Sequence, residues 1–377
     1  MKRLSCEPRP EWRRKVESVG MLYHTMDDEI YWDESACYCF TRSEIDTIDL
    51  ATAELHALCL EAVQVVINRD LFSLLRIPPA AAQMVIDSWE RDEPSLYGRF
   101  DLSWDGSGSP KLLEYNADTP TSLLEASVVQ WFWLRDTRPG EDQFNSIHEK
   151  LISFWQRWPY PLRDTVHFTC AAGSLEDLGN VEYLRDTAVQ GGFDTRRLFV
   201  EEIGWDSGRR KFVDLDEEPI RTLFKLYPWE WLVREAFGPF LPVAGMRIIE
   251  PAWKMVLSNK GILPLLWELF PGHPNLLPAA FAGQGLGGDH VRKPLFSREG
   301  ENVTIHRGGN VIGTPGSYGE EGYVLQRYAP LPSFDGNYPV IGSWVIDHEP
   351  AGIGIREDRS EITTNGSRFI PHFFMEG

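Results

Sequence analysis

Residues 98–118, GRFDLSWDGSGSPKLLEYNAD, alternate polar and apolar side chains on both sides of a Gly/Ser/Pro turn. Few structures other than an antiparallel hairpin with one core face suit that pattern. Side chains point to opposite faces along a strand, so Phe100, Leu102 and Trp104 are expected beside Leu113, Tyr115 and Ala117, in the register that brings the two apolar rows together. The other face then collects Arg99, Asp101, Ser103, Glu114, Asn116 and Asp118. Two carboxylates about 4 Å apart repel by roughly 4 kcal/mol at an effective dielectric near 20. A face holding both Asp101 and Glu114 therefore wants a cation, which Arg99 supplies and a metal could supplement. Magnesium takes oxygen ligands, characteristically one or two carboxylates plus substrate phosphates, and Asp101, Glu114 and Asn116 are such a set. The competing reading is a solvated face held by ordinary ion pairs, since half-exposed strands commonly alternate in this way.

The rest of the chain places this hairpin in an α/β (α+β) protein. Residues 45–70 and 121–136 carry apolar side chains at helical spacing, the second with Thr121 as a candidate cap. Residues 164–203 read as strand, helix and strand, a βαβ-like unit. One helix from SNKGILPLLWELFPGH onward is followed by HVRKPLF, NVTIHRG, GYVLQRYAP, YPVIGSWVID and AGIGIRED, which read as a mostly antiparallel sheet. Three segments are expected: a helix-rich part with the hairpin (1–160), an α/β domain (161–250) and a strand-rich part (251–377). With 377 residues, 42% of them hydrophobic, the chain can fill one large core or two ordinary ones.

The net charge of −19 is spread along the chain, which disfavours nucleic acid and favours a cationic small substrate. The N-terminus is charged throughout and no later run approaches the ~20 apolar residues of a membrane span. Five cysteines (Cys6, Cys37, Cys39, Cys59 and Cys170) in no metal-like spacing suit a reducing compartment. A cytoplasmic location is expected, with Cys37-Tyr-Cys39 the one spacing that stands apart.

A hairpin metal suggests a triphosphate. There is no Walker A sequence, and GQGLGG (283–288) leads into a strand instead of opening a helix, so it fails as a dinucleotide motif. More informative is HVRKPLFSREGENVTIHRG, which sets Lys293 on a strand before a glycine-containing turn (Ser297 to Gly300). A strand lysine beneath a turn with free N–H groups can hold phosphates outside the P-loop arrangement. Lys254 and Lys260 add positive charge, the latter near a helix start.

Four separated stretches, residues 98–127, 248–279 (IIEPAWKMVLSNKGILPLLWELFPGHPNLLPA), 291–303 (VRKPLFSREGENV) and 363–374 (TTNGSRFIPHFF), together resemble the synthetase domain of the glutathionylspermidine synthase family. The resemblance runs from about residue 10 to the C-terminus and implies a permuted ATP-grasp fold with a pre-ATP-grasp-like domain at 161–250. It implies ATP and Mg2+, with Asp101, Glu114 and Asn116 as metal ligands and Arg99 steadying the transferring phosphate. It also implies Lys260 and Lys293 on the phosphates, Gly300 in the lid turn, Gln326 to Ala329 along the adenine, and Arg356 near the reacting phosphate. The chemistry implied is ATP-dependent amide formation between a glutathione-like peptide carboxylate and a polyamine-like amine through an acyl phosphate. Asp118, Glu125, Glu230 and Glu250 are candidates for the amine pocket. The N-terminal amidase domain of the bifunctional members is not expected here. A ligase for another acid and amine, or a nucleotide-binding protein without catalysis, are the alternatives; the oligomeric state is left open.

Overall fold

The computed structural model describes residues 1–161 and 164–375; residues 162–163 and 376–377, which fall in the second and third expected segments, lie outside the described residues. Two five-stranded antiparallel sheets organise the site. One has the order Arg368–Ile370, Glu349–Asp358, Tyr338–Ile346, Tyr97–Ser103, Lys111–Asn116. The other has the order Ala279–Phe281, Tyr323–Arg327, His290–Pro294, Thr304–Arg307, Asn310–Gly313. The strands expected after residue 290 all form, yet they divide between two sheets instead of sharing one, and the hairpin completes the first of these. Sequence alternation sets which face of a strand is buried but not which strand lies beside it, so the division was not legible.

A third sheet is parallel, in the order Arg247–Ile249, Thr222–Leu226, Val166–Cys170, Thr195–Phe199. Its strands Val166–Cys170 and Thr195–Phe199 are joined by the helix Leu175–Gln190, the βαβ unit read from the sequence. Ser174 caps that helix by accepting from Asp177 N. A small sheet of Lys2–Ser5, Ala36–Thr41 and His372–Met375 ties the two ends of the chain together.

The long helix Arg42–Asn68 starts at Thr41, whose hydroxyl accepts from Glu44 N while Glu44 accepts from Thr41 N, a reciprocal cap. Its buried residues, among them Ile45, Ile48, Leu55, Cys59 and Val66, recur at helical spacing and pack in the largest apolar cluster with Phe100, Leu102 and Tyr115 of the hairpin. One 18-residue window of this helix has a mean hydropathy of 1.5, long and apolar enough to cross a membrane by length and composition, with 44% of it buried inside the protein. That corrects the expectation that no run approaches spanning length.

The helix expected over 121–136 begins at Leu123 and contains a π-helical turn, Glu125–Val129, before Gln130–Thr137. Thr121 is not its cap: Asn180 Oδ1 accepts from Leu123 N at 3.0 Å, while the Thr121 carbonyl accepts from Arg99. A wide turn of this kind places side chains off the 3.6-residue period, and here it carries Glu125 into a buried position.

Candidate active site between two antiparallel sheets

The hairpin pairs Asp101 with Glu114 and Arg99 with Asn116, but the register shifts between Asp101 and Leu102, so that Leu102 faces Leu112 and Leu113 is the extra residue. This β-bulge corrects the expected core row: Leu112 is buried with Phe100 and Tyr115, while Leu113 turns to the site and lines it. One added residue exchanges the faces on either side of it. Its effect is to put Leu113, Asp101 and Glu114 on the wall of a cavity of about 110 Å³.

That cavity lies between the two antiparallel sheets. Lys293, Val291, Gln326 and Ile305 line it from one side, and Asp101, Glu114 and Val340 from the other. Lys260, Gly300, Tyr328, Ala329 and Thr363 close its rim. Lys260, Lys293, Gly300, Gln326, Ala329, Asp101 and Glu114, named from widely separated stretches, thus share one wall system. Asn116 joins it through hydrogen bonds, its Nδ2 donating to Asp101 Oδ2 (3.1 Å) and Glu114 Oε1 (3.3 Å). The amide nitrogen of Asn116 thus faces both carboxylates, and turning that amide over would set its oxygen beside Asp101 and Glu114. Such an all-oxygen donor set fits magnesium. No group of three His, Cys, Asp or Glu side chains with metal-binding geometry occurs among the described residues.

The charges in this cavity are matched. Lys260 Nζ lies 3.1 Å from Glu114 Oε2 and also donates to the Ser297 carbonyl. Lys293 Nζ donates to the Leu113 carbonyl (2.7 Å) and to Gln326 Oε1 (2.8 Å), and Gln326 Nε2 donates to the Leu112 carbonyl. Burial opposes ionisation of Glu114, but Lys260 and Lys293 outweigh it and draw its carboxyl down to about 2. Burial lowers Lys293 to about 8, with Glu114 acting against the shift. Gln326 is therefore the hinge of the cradle: it orients the lysine and is itself fixed to the bulged strand. Gly300 has φ +71, and a Cβ there would collide with the Thr363 carbonyl, which gives the glycine of this turn a steric reason.

Arg99 makes a two-point contact with Asp101, Nε to Oδ1 at 2.7 Å and Nη2 to Oδ2 at 3.0 Å, and donates through Nη1 to the Thr121 carbonyl. Burial works against its charge, and Asp101 holds it above the ordinary arginine value nonetheless. Its side chain lies across Gly342, where a Cβ would come 2.8 Å from Arg99 Cδ; sequence reasoning missed that glycine, and only strand adjacency reveals it. Arg356 donates through Nη2 to the carbonyls of Thr364, Asn365 and Ser367. A second, smaller cavity is lined by Arg99, Asp101, Ser122, Arg356 and Thr363, so the two arginines meet beside the lysine cavity through the shared Asp101, Val340 and Thr363.

Other residues named from the sequence lie elsewhere. Asp118 does not continue the polar face: the strand ends at Asn116, and Asp118 is buried, accepting from Lys225 Nζ (2.6 Å) and Trp229 N (2.9 Å) in a pair that joins the hairpin to the parallel sheet. Lys254 is buried against Glu250 and the Tyr97 carbonyl instead of facing the cavity. Glu250 is consumed by Ser95 and the N–H groups of Leu96 and Tyr97, and Glu230 pairs with Arg298 at 2.8 Å.

Glu125 alone of the proposed amine-pocket acids lies in a different setting. It accepts from the hydroxyls of Tyr31 (2.8 Å) and Tyr23 (3.3 Å), and Glu176, the acid that acts on it, acts also on Asp177 and Glu299. Burial and then the Glu176 charge push Glu125 up to about 7. Burial, Glu176 and then Glu299 push Asp177 up to about 6, and burial with Glu176 raises Glu299 as well. Glu176 is only 8% exposed and its Oε1 has no hydrogen-bond partner among the described residues. Arg356 acts on both Glu125 and Glu299, which sets this acidic patch on the flank of the arginine cavity. Glu176, Asp177 and Glu299 escaped sequence reasoning because they come from a helix start and a turn far apart in the chain.

Comparison with known proteins bears on what such a site does. Residues 3–375 match the family model described as glutathionylspermidine synthase preATP-grasp. A Haemophilus influenzae protein, provisionally named an acid–amine ligase, is 44% identical with 100% of both chains covered. The trypanothione synthetase of Crithidia fasciculata is 27% identical over 95% of this chain and 57% of its own length. The bifunctional glutathionylspermidine synthetase/amidase of Escherichia coli is 26% identical over 89% of this chain and 58% of its own. The chain thus spans a little over half the length of those two relatives. Among solved structures, a glutathione synthetase like-effector from Globodera pallida superposes with a TM-score of 0.56 at 10% identity, covering 99% of this chain and 100% of its own. The fold is α/β, of the ATP-grasp type.

Proposed function

The chain belongs to the glutathionylspermidine synthase family, and on that premise we propose that it is an ATP-dependent carboxylate–amine ligase joining a glutathione-like peptide carboxylate to a cationic, polyamine-like amine. The observation that carries the reading is the cavity in which Asp101 and Glu114 of one sheet face Lys293 and Gln326 of the other, with Lys260 and Ala329 at its rim. ATP enters between the sheets as a substrate, its phosphates drawn to Lys260 and Lys293 beneath the Gly300 turn and its adenine along Gln326 to Ala329. Asp101, Glu114 and Asn116 would hold magnesium, which would supply charge neutralisation at the phosphates.

Carboxylates do not condense usefully with amines near neutral pH, so the acid is activated as an acyl phosphate before the amine displaces phosphate. Phosphoryl transfer asks mainly for positioning and charge stabilisation, and Arg99 and Arg356, converging on one small cavity, provide both. The Asp101 contact keeps the Arg99 guanidinium aimed and ionised. No nucleophilic side chain is required. The fold segments follow: residues 161–250 serve as the pre-ATP-grasp-like part and the hairpin with 251–375 as the nucleotide-binding part, and a cytoplasmic location suits this chemistry.

The amine end of the reading rests on the acidic patch. Burial and the Glu176 charge raise Glu125, Asp177 and Glu299, and a bound ammonium would relieve that repulsion. The direct test supplies glutathione and spermidine separately and together with ATP and magnesium, following ADP and reading products by mass. ADP release that needs both, with a product of their summed mass less water, is expected. A product from another acid or amine would retain the ligase and change its substrates, whereas ATP binding without turnover by any pair would end the ligase reading.

A further inference from the structure

Strand Lys2–Ser5 pairs with Ala36–Thr41 so that Leu4 faces Cys37, and Cys6 N donates to the Ser35 carbonyl just beyond the ladder. Alternation then puts Cys6 and Cys37 on the same face, diagonal to each other. Their sulfurs lie 2.9 Å apart in hydrogen-bond contact. A disulfide measures 2.03–2.05 Å, so the two atoms need to approach by about 0.9 Å. Arg138 reaches over the pair, Nη2 standing 3.8 Å from Cys37 Sγ and 4.0 Å from Cys6 Sγ, while its guanidinium stacks on Phe373 at 4.2 Å. Cys37 is fully buried and Cys6 is half-buried, so reagents meet Cys6 first. Cys39, Cys59 and Cys170 are buried.

We propose that Cys6 and Cys37 form a dithiol modification site at which small-molecule disulfides exchange, Cys6 attacking and Cys37 resolving. The Cys6 thiolate attacks one sulfur of RSSR, forming a Cys6–SR bond and releasing RS⁻. Cys37 then loses its proton to water and attacks the Cys6 sulfur, forming the Cys6–Cys37 bond and releasing the second RS⁻. The protein dithiol is oxidised by two electrons and RSSR is reduced to two thiols. A thiolate is the nucleophile in such exchange. The Cys37 hydrogen bond, with Arg138 assisting against burial, brings Cys6 down to about 6, which makes the exposed member of the pair the charged one. Closure ties down the strand whose Arg3 donates to Glu357, the residue next to Arg356. This inference is independent of the ligase reading.

The test exposes the reduced full-length chain to glutathione disulfide near neutral pH, then alkylates the remaining thiols under denaturing conditions and maps the peptides by mass. The expected product joins the Cys6 and Cys37 peptides and leaves Cys39, Cys59 and Cys170 alkylated. Cys37→Ser is expected to stop at a glutathione adduct on Cys6, Cys6→Ser to give neither species, and Arg138→Gln to slow the reaction severalfold. The wild-type map decides the matter even if a variant misfolds. A link between Cys37 and Cys39, an adduct on Cys6 that wild type never resolves, or a Cys6 that reacts no faster than Cys39 would each overturn the proposal.

Discussion

Two clusters of carboxylates sit a short way apart in this protein and behave in opposite ways. Between the sheets, Glu114 is faced by Lys260 and Lys293 and its carboxyl falls to about 2; on the arginine flank, Glu125 and Asp177 face Glu176 and rise to about 7 and 6. Burial pushes all three upward, so the difference lies in the partners. The first cluster is balanced within the protein, and a ligand there must exchange one set of partners for another, as phosphates and magnesium would. The second crowds acids whose repulsion Arg356 and Arg298 offset only in part, and it holds an unpartnered buried oxygen, so it gains from a cation that fits. On the proposed reading, the first suits a balanced, highly charged nucleotide and the second a positively charged amine.

Several perturbations would break or sharpen that contrast. The largest expected effect is on stability, at Asp118, a third kind of carboxylate whose ion-pair partner among the described residues is the buried Lys225. Asp118→Ala should cost about 3–5 kcal/mol by leaving that lysine unpaired, measured by denaturant unfolding, while turnover per folded molecule stays near normal. Arg99→Ala and Glu114→Ala should each reduce turnover at least ~10²-fold, by analogy with the loss of one oxyanion donor, with thermal stability held close to wild type. Normal ATP turnover in both folded variants would remove the balanced cluster from the chemistry. Lys293→Met should raise the KM for ATP by roughly tenfold, about 1.4 kcal/mol, and leave the KM for the amine alone. The smallest effect concerns pH. Because Glu125 and Asp177 titrate near 7 and 6, they are partly protonated near pH 6 and a cationic amine should release protons as it binds. Calorimetry in two buffers of different ionisation heat reads that release; it should shrink above pH 8, where both groups are already charged. The same shift has a sign for stability: their folded pKa values exceed the ordinary carboxylate range, so stability falls as pH rises from about 4 through 7. Bound amine should offset that loss.

Much of this contrast was half visible in the sequence. Alternation in the hairpin put Arg99, Asp101, Glu114 and Asn116 together, and helical spacing found the helix Arg42–Asn68 and the βαβ unit, because these patterns depend on near neighbours in the chain. Leu113 escaped, since a bulge is decided by the partner strand and not by the strand that carries it. Asp118 was assigned to the wrong company for a related reason: period-two reasoning continues past the strand end unless the end is known, and the lysine that claims it is 107 residues away. The acidic patch was least legible of all. Its members come from a π-turn, a helix start and a loop, and no local period connects them.

The measurement that tests the contrast most directly compares Glu114→Gln with Glu176→Gln in steady-state ADP formation, titrating the amine at saturating ATP and acid. Glu114→Gln should lose turnover at every amine concentration, whereas Glu176→Gln should raise the KM for a cationic amine about tenfold and regain wild-type turnover when the amine is abundant. Equal losses of turnover in the two variants, or a Glu176→Gln whose amine dependence is unchanged, would contradict the division of labour between the two clusters.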